Sequence, residues 1–254
     1  MGSGASGTID EAQVAHFDAA AGDWWEPDGY ARWLHRYNPV RVSYIRDQAC
    51  AAHGRDAGAP EPLRGLRILD IGCGAGVLCE PLARLGATMV GADPAEQTIA
   101  VAAARARIHG LAVDYRGETA EALAAAGERF DAVLAMEVIE HVADWRLFLQ
   151  TCASLIRPGG VLILSTINRT PKSLFQAIIM GEYVLGLLPR GAHQWSRFVK
   201  PGEIGDEVAQ RNMRLTHVTG VTMNLRTRMM QLSGKTGVNY ILTAQRGQDA
   251  AATP

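Results

Sequence analysis

From residue 66 to about residue 170 the chain alternates short apolar runs with longer amphipathic stretches. "LRILDI" reads as a strand and runs into the glycine loop "GCGAG". "VLCEPLARLG" has the three-and-four spacing of an amphipathic helix and stops at Gly86. "ATMVGAD" is a second strand, "AEQTIAVAAARARIHG" a second helix and "LAVDYRGE" a third strand. A fourth strand, "RFDAVLAME", leads to the helix "RLFLQTCASLIRPGG", which a Pro-Gly-Gly signal ends, and "GVLILSTINR" is the fifth strand. Strands alternating with helices of this length predict a mainly parallel sheet with helices on both faces. Residues 10–53 read as helical, broken near "EPDG", and "RDAGAPEPLRG" is a Pro/Gly linker. After residue 170 the alternation gives way to an apolar stretch at 173–188, a helix near 201–211 and two late strands, "MRLTHVTGVT" and "VNYILTAQR".

Length adds a bound: 254 residues with 48% hydrophobic content suffice for one large domain. The predicted layout is a tail at 1–9, a single domain at 10–246 with a helical cap at 10–58 and an insertion at 168–200, and a tail at 247–254. A net charge of −1 argues against nucleic acid as a partner. Arginine far outnumbers lysine, which occurs only at Lys172, Lys200 and Lys235. Cys50, Cys73, Cys79 and Cys152 form neither C-x-x-C nor a zinc spacing, so free thiols in a reducing compartment are expected. No basic start followed by an apolar core marks a secretory signal.

The glycine loop carries the first chemical signal. Asp70, Gly72, Gly74 and Gly76 follow a strand directly, and glycine lets a ligand approach the backbone closely. The D-x-G-x-G-x-G spacing departs from the dinucleotide pattern. Asp93 ends the next strand, where a carboxylate accepts ribose hydroxyls. An adenosine-bearing ligand follows from this pair of features.

"LDIGCGAG", "GAD", "FDAVLAMEVIEHV" and "LIRPGG" together resemble the class I S-adenosylmethionine-dependent methyltransferases. That resemblance implies an α/β, doubly wound, Rossmann-like fold with a seven-stranded, mostly parallel sheet. The blocks "FDAAAGDWWEPDG", "LHRYNPVRVSYI", "STINRTPKS", "GEYVLGLLPRGAHQW" and "FVKP" resemble more closely the ubiquinone biosynthesis O-methyltransferases. This family methylates polyprenylated catechols, including 3-demethylubiquinol. The resemblance implies S-adenosylmethionine held by Arg41, Gly72, Asp93 and Met136, with Glu118 at the adenine and Asp70 and Gly74 in the loop. It further implies a bacterial enzyme in the cytoplasm, peripheral to the inner membrane, with other quinone-biosynthesis enzymes as candidate partners. Two alternatives stand beside it: a methyltransferase of another small-molecule pathway, and a non-catalytic cofactor-binding scaffold.

"AMEVIEHV" holds the reactive set. On a helix Glu137, Glu140 and His141 would share one face. Two oxygen ligands and an imidazole suit a divalent cation, magnesium or zinc, that a catechol would chelate. His141 as a metal-free base and first-turn acids answering a helix dipole are the competing readings. The apolar stretch "SLFQAIIMGEYVLGLLP" is too short and interrupted to span a bilayer, which takes about 20 apolar residues. Arg169, Lys172, Arg190, Arg197 and Lys200 flank it, so residues 172–190 are expected at a membrane surface, against the alternative of a buried lid. Trp24, Trp25, Trp195, His193 and Lys200 are candidate pocket-edge residues.

Overall fold

The computed structural model describes residues 8–26, 29, 31–175, 194–224 and 229–248. Two helices, α1 (Glu11–Ala19) and α2 (Arg32–Ala52), precede the sheet. The alternating region is β1 (Arg67–Ile71), α3 (Cys79–Arg84), β2 (Thr88–Ala92), α4 (Glu96–Ile108), β3 (Val113–Arg116), α5 (Ala120–Ala125), β4 (Phe130–Met136), α6 (Trp145–Ser154) and β5 (Ile156–Ile167). The chain continues through a helical turn α7 (Pro171–Ser173), α8 (Pro201–Ala209), β6 (Met213–Met223), β7 (Met230–Ser233) and β8 (Asn239–Arg246). The sheet order is β3-β2-β1-β4-β5-β8-β6-β7. Strands β1 to β5 pair in parallel, and β8 lies antiparallel between β5 and β6. The seven expected strands are present, and the four-residue edge strand β7 makes eight.

Residues alternate between the two faces of a strand, and here that alternation sorts the core. Leu69, Val133, Ala135, Leu162 and Leu164 pack toward α5, α6 and α8, against Leu123, Phe148, Cys152 and Ile204. Ile68, Ala132, Leu134, Val161 and Ile163 pack toward α2 and α3, against Tyr44, Ile45, Ala49 and Leu82. Each such buried aliphatic side chain contributes about 1.5–3 kcal/mol of transfer free energy. With both faces covered, buried polar chemistry is left to the ends of the strands.

Three local differences from the sequence reading matter. Helix α5 was not expected; Thr119 starts it, accepting a bond from Ala122 N–H at 3.2 Å. The "RPGG" run belongs to the irregular start of β5, where the register with β4 shifts between Phe130 and Ala132. Residues 137–144 form a loop, with no helix until Trp145. Most of the apolar 173–188 stretch lies outside the described residues, as does His193.

Asp144 ends that loop and caps α6, accepting bonds from Arg146 N–H at 2.9 Å and Leu147 N–H at 3.1 Å. Replacing Asp144 with Ala strips two donors of their acceptor. The variant is expected to lose about 1 kcal/mol, read as a lower guanidinium midpoint at unchanged slope.

Candidate active site

Gly72, Gly74 and Gly76 carry φ values of 68°, 53° and 80°. These left-handed angles suit glycine and turn the backbone over the end of β1. A β-carbon at Gly74 would collide with the Trp24 ring, and one at Gly72 would stand 2.6 Å from Val138 Cγ2. The loop is therefore closely covered by the N-terminal segment and by the loop after β4. Asp93 ties the turn to the end of β2. Its carboxylate accepts from Gly74 N–H at 3.0 Å and Ala95 N–H at 2.9 Å, while burial pushes its pKa up. Asp70 is buried at the base of the loop, receives the Cys79 thiol at 3.4 Å and is raised by burial to about 7.

One strand over, β4 ends at Met136 and the chain turns sharply. Glu137 takes a φ of 60°, rare for a residue with a β-carbon. Strain of this kind concentrates at functional sites. The turn sends the Glu137 carboxylate to Ser165 Oγ–H at 2.6 Å and to the Arg41 guanidinium at 3.3 Å. Glu140, 4% exposed, accepts from Thr166 Oγ–H at 2.8 Å. Ser165 and Thr166 are consecutive on β5, so their hydroxyls rise on opposite faces. Burial first, and the Glu137 charge second, raise Glu140 to about 8. Burial and the neighbouring charge thus favour the protonated form of the Glu140 carboxyl.

Arg41 reaches the pair from α2, stacked 4.5 Å over the Tyr37 ring. It is buried, and its Nε has no hydrogen-bond partner in this structure. Met136 is buried in the cluster that holds Tyr37 and Cys73. Glycine loop, ribose-type acid, guanidinium and carboxyl pair thus gather at the carboxyl ends of β1, β2, β4 and β5. Open α/β sheets bind ligands at this edge.

A family model described as "Methyltransferase domain" matches residues 42–218. The ubiquinone biosynthesis O-methyltransferase of Rhizobium etli (strain CIAT 652) is 50% identical over 246 residues, 97% of this chain and 99% of that protein. The protein of the same name from Parvibaculum lavamentivorans is 51% identical over 245 residues, 96% and 97% of the two chains. The chain belongs to the ubiquinone biosynthesis O-methyltransferase family. Its fold is shared with the magnesium protoporphyrin IX methyltransferase of Synechocystis PCC 6803, solved with bound SAM. That structure matches with a TM-score of 0.61 at 20% identity, over 96% of this chain and 100% of the other.

Within this family member the expected residues do not all converge. Glu118 follows β3 and is exposed. His141 turns away from the carboxyl pair, its Nδ1 on Gln13 Oε1 at 3.1 Å. Among the described residues no group of three or more His, Cys, Asp or Glu side chains is placed to hold a metal ion. The shared helix face expected of Glu137, Glu140 and His141 is absent because the segment is a loop. Trp25 hydrogen-bonds Ala75 O at 3.0 Å and lies under Arg105, whereas Trp195 is 38% exposed and bonds Thr170 O at 3.0 Å. Lys200 is exposed at the start of α8. Ser165, Thr166 and Tyr37 were missed as site residues. The first two lie in the quoted "STINRT" block, whose hydroxyls at the end of a strand were the available signal.

The raised carboxyl has a thermodynamic signature. Folded Glu140 holds its proton up to about pH 8, and the unfolded chain releases it near pH 4.5. Between those values the folded state binds more protons, so this group's contribution to stability falls as pH rises. Glu140→Gln removes the effect, while Asp70 titrates alike in both proteins. In chelator-treated protein the melting temperature of Glu140→Gln minus wild type is expected to climb on the order of 5 °C from pH 5 to pH 8, read by calorimetry.

Proposed function

We propose that the chain transfers the methyl group of S-adenosylmethionine to a phenolic oxygen of a polyprenylated catechol in ubiquinone synthesis. The observation that carries this is the Glu137–Glu140 carboxyl pair, with Glu140 buried, one strand from the glycine loop, in a chain half identical to curated ubiquinone biosynthesis O-methyltransferases. Both O-methylation steps of the pathway fall within this reading.

The residues present fit the methyl donor. The orphan Arg41 Nε suits the methionyl carboxylate, which would lie over Gly72. Asp93 keeps acceptor capacity for ribose hydroxyls, because a carboxylate offers about four lone-pair sites and two are used. Met136 lines the adenosyl side. Glu118 would reach the adenine from the end of β3 by a side-chain movement. Trp24 excludes water over the loop.

The acceptor oxygen must be held in line with the sulfonium methyl, and much of the rate enhancement comes from that placement. Glu137 is the more accessible of the two carboxyls, its side chain 25% exposed. It would take the phenolic proton, while neutral Glu140 donates to the neighbouring catechol oxygen. A phenol near pKa 10 is about one part in a thousand ionised at pH 7, so roughly 4 kcal/mol must be offset.

A divalent cation fits two of its three expected ligands. Glu140 Oε1 is buried without a hydrogen-bond partner, and two neighbouring carboxyls offer hard oxygen donors. Glu137 and Glu140 would hold the ion, and His141 would join only after leaving Gln13. When bound, the cation would supply Lewis-acid polarisation of the phenolic oxygen, worth several kcal/mol.

At the membrane, the 172–190 reading is supported where the segment begins. Leu174 and Phe175 are 38% and 54% exposed where the segment begins. No helix among the described residues is long and apolar enough to cross a bilayer.

Incubation with S-adenosylmethionine and a short-prenyl 3-demethylubiquinol is expected to yield the methylated quinol, read by mass spectrometry. Glu137→Ala is expected to lower kcat/KM at least about 100-fold. No product from the wild type would sink the proposal. Full activity after chelation would remove the cation alone, and an active Glu137→Ala would remove Glu137 as the base as well.

A further inference from the structure

Helix α2 brings more to the site than Arg41. Tyr37 stands four residues before it, so the two side chains share a helix face one turn apart. The Arg41 guanidinium lies 4.5 Å over the Tyr37 ring. Neighbouring residues fix this stretch of the helix. Asn38 Nδ2–H bonds Val77 O at 2.6 Å, just past the glycine loop, and His35 Nε2 lies 2.8 Å from Trp24 O in the N-terminal segment. The helix is therefore pinned to the loop and its cover at Tyr37's own turn.

That face carries donors without acceptors. Tyr37 is 8% exposed, and its hydroxyl has no hydrogen-bond partner among the described residues. Arg41 is 4% exposed. Neither its Nε nor its Nη2 makes an aligned hydrogen bond among the described residues, although Nη2 stands 3.3 Å from a Glu137 oxygen. A buried donor left unpaired is costly, and native structures seldom keep one without a use. Here three lie on one helix face. Burial first, and the Glu137 charge second, hold the Tyr37 phenol above its ordinary pKa, so the hydroxyl keeps its proton and can donate. The Arg41 charge is also felt by Asp70, at the base of the glycine loop. The donor set thus stands where the loop and the carboxyl pair meet.

A carboxylate matches this set. It offers about four lone-pair sites, takes a guanidinium through two nitrogens and still has room for a hydroxyl donor. A lone hydroxyl or carbonyl oxygen has only two lone pairs and would leave a donor unused. A phosphate would bring more negative charge beside Glu137, which already stands next to a second carboxyl. The methyl donor has one carboxylate, at its amino-acid end, and that end would lie over Gly72.

We infer that the Tyr37 hydroxyl is a second donor to the amino-acid carboxylate of the methyl donor, and that it acts with Arg41 to select cofactors bearing that group. The inference rests on the cofactor placement given above. Arg41 divides its charge between the cofactor and Glu137, whereas the hydroxyl forms no ion pair and serves the cofactor alone. Specificity is the consequence. A site that buries a donor for one group rejects the analogue lacking that group, because the donor is then left unpaired. The competing assignment gives the hydroxyl to the phenolic acceptor.

Titration calorimetry on the full chain compares wild type with Tyr37→Phe. The probes are S-adenosylhomocysteine and S-adenosyl-3-thiopropylamine, the same thioether without its carboxylate. The variant is expected to bind S-adenosylhomocysteine at least about tenfold more weakly, and the decarboxylated thioether within about twofold of wild type. In turnover the loss should fall on KM for S-adenosylmethionine and not on KM for the catechol. Without any ligand Tyr37→Phe should melt no lower than wild type, since the hydroxyl it removes has no partner among the described residues to lose. Equal losses for the two thioethers, undiminished affinity for S-adenosylhomocysteine, or a raised KM for the catechol alone would each overturn the inference. So would a variant that melts lower without ligand, because the hydroxyl would then serve the fold. Failure of the cofactor placement shows separately, as wild type that binds both thioethers equally or neither.

Discussion

Two carboxyl groups placed side by side, one of them buried, cannot both be charged without compensation. Much of the upper edge of this sheet follows from that constraint at Glu137 and Glu140. Glu137 has the Arg41 guanidinium and a serine hydroxyl, and Glu140 keeps its proton and takes a threonine hydroxyl. Meeting those demands draws on three remote parts of the chain: α2 for the cation, the last turns of β5 for two hydroxyls, and a left-handed residue after β4 for direction. Removing Arg41 would leave Glu137 beside Glu140 without its cation, so the N-terminal helix belongs to the site as much as to the scaffold.

The N-terminal segment reinforces that link. Asp18 accepts from Gln97 and Thr98 N–H at the start of α4, close to Asp93. Gln13 holds His141, Thr8 accepts from Ala143 N–H and donates to Glu121, and Trp24 covers Gly74. The segment thus straps across the ends of β1, β2 and β4. A cofactor lying over the glycines must contact it, and its order and cofactor binding are thermodynamically coupled. A strap held by scattered hydrogen bonds rather than a large apolar face sits at the low end of local stability. Such an element suits a cover that must open for each exchange.

The parts of this molecule that were legible in the sequence are those whose cause is local. Strand and helix periods, the glycine turn after β1 and the acid after β2 arise from neighbours in the chain, and they appear as read. The shared face that Glu137, Glu140 and His141 would have on a helix does not form, because i, i+3, i+4 spacing carries no information when a left-handed residue comes first. His141 finds Gln13, 128 residues away in sequence, and nothing local announces that. Ser165 and Thr166 look like ordinary strand residues until β4 is placed beside β5. The resemblance marked their block without giving them a role. β7 is short, and its four residues are too few for a period to emerge.

The same edge carries both the polar site and the exposed apolar hairpin, and the topology makes that coincidence mechanical. Parallel strands put all the catalytic loops at their carboxyl ends. The antiparallel β8 starts at that end, so the turn before it, and the hairpin β6–β7 beyond it, must project there as well. An amphiphile whose reactive head is polar and whose tail is apolar needs those two surfaces adjacent. The reversed strand beside β5 therefore does more than close the core: it brings apolar side chains of the β6–β7 hairpin to the end of the sheet that carries the carboxyl pair.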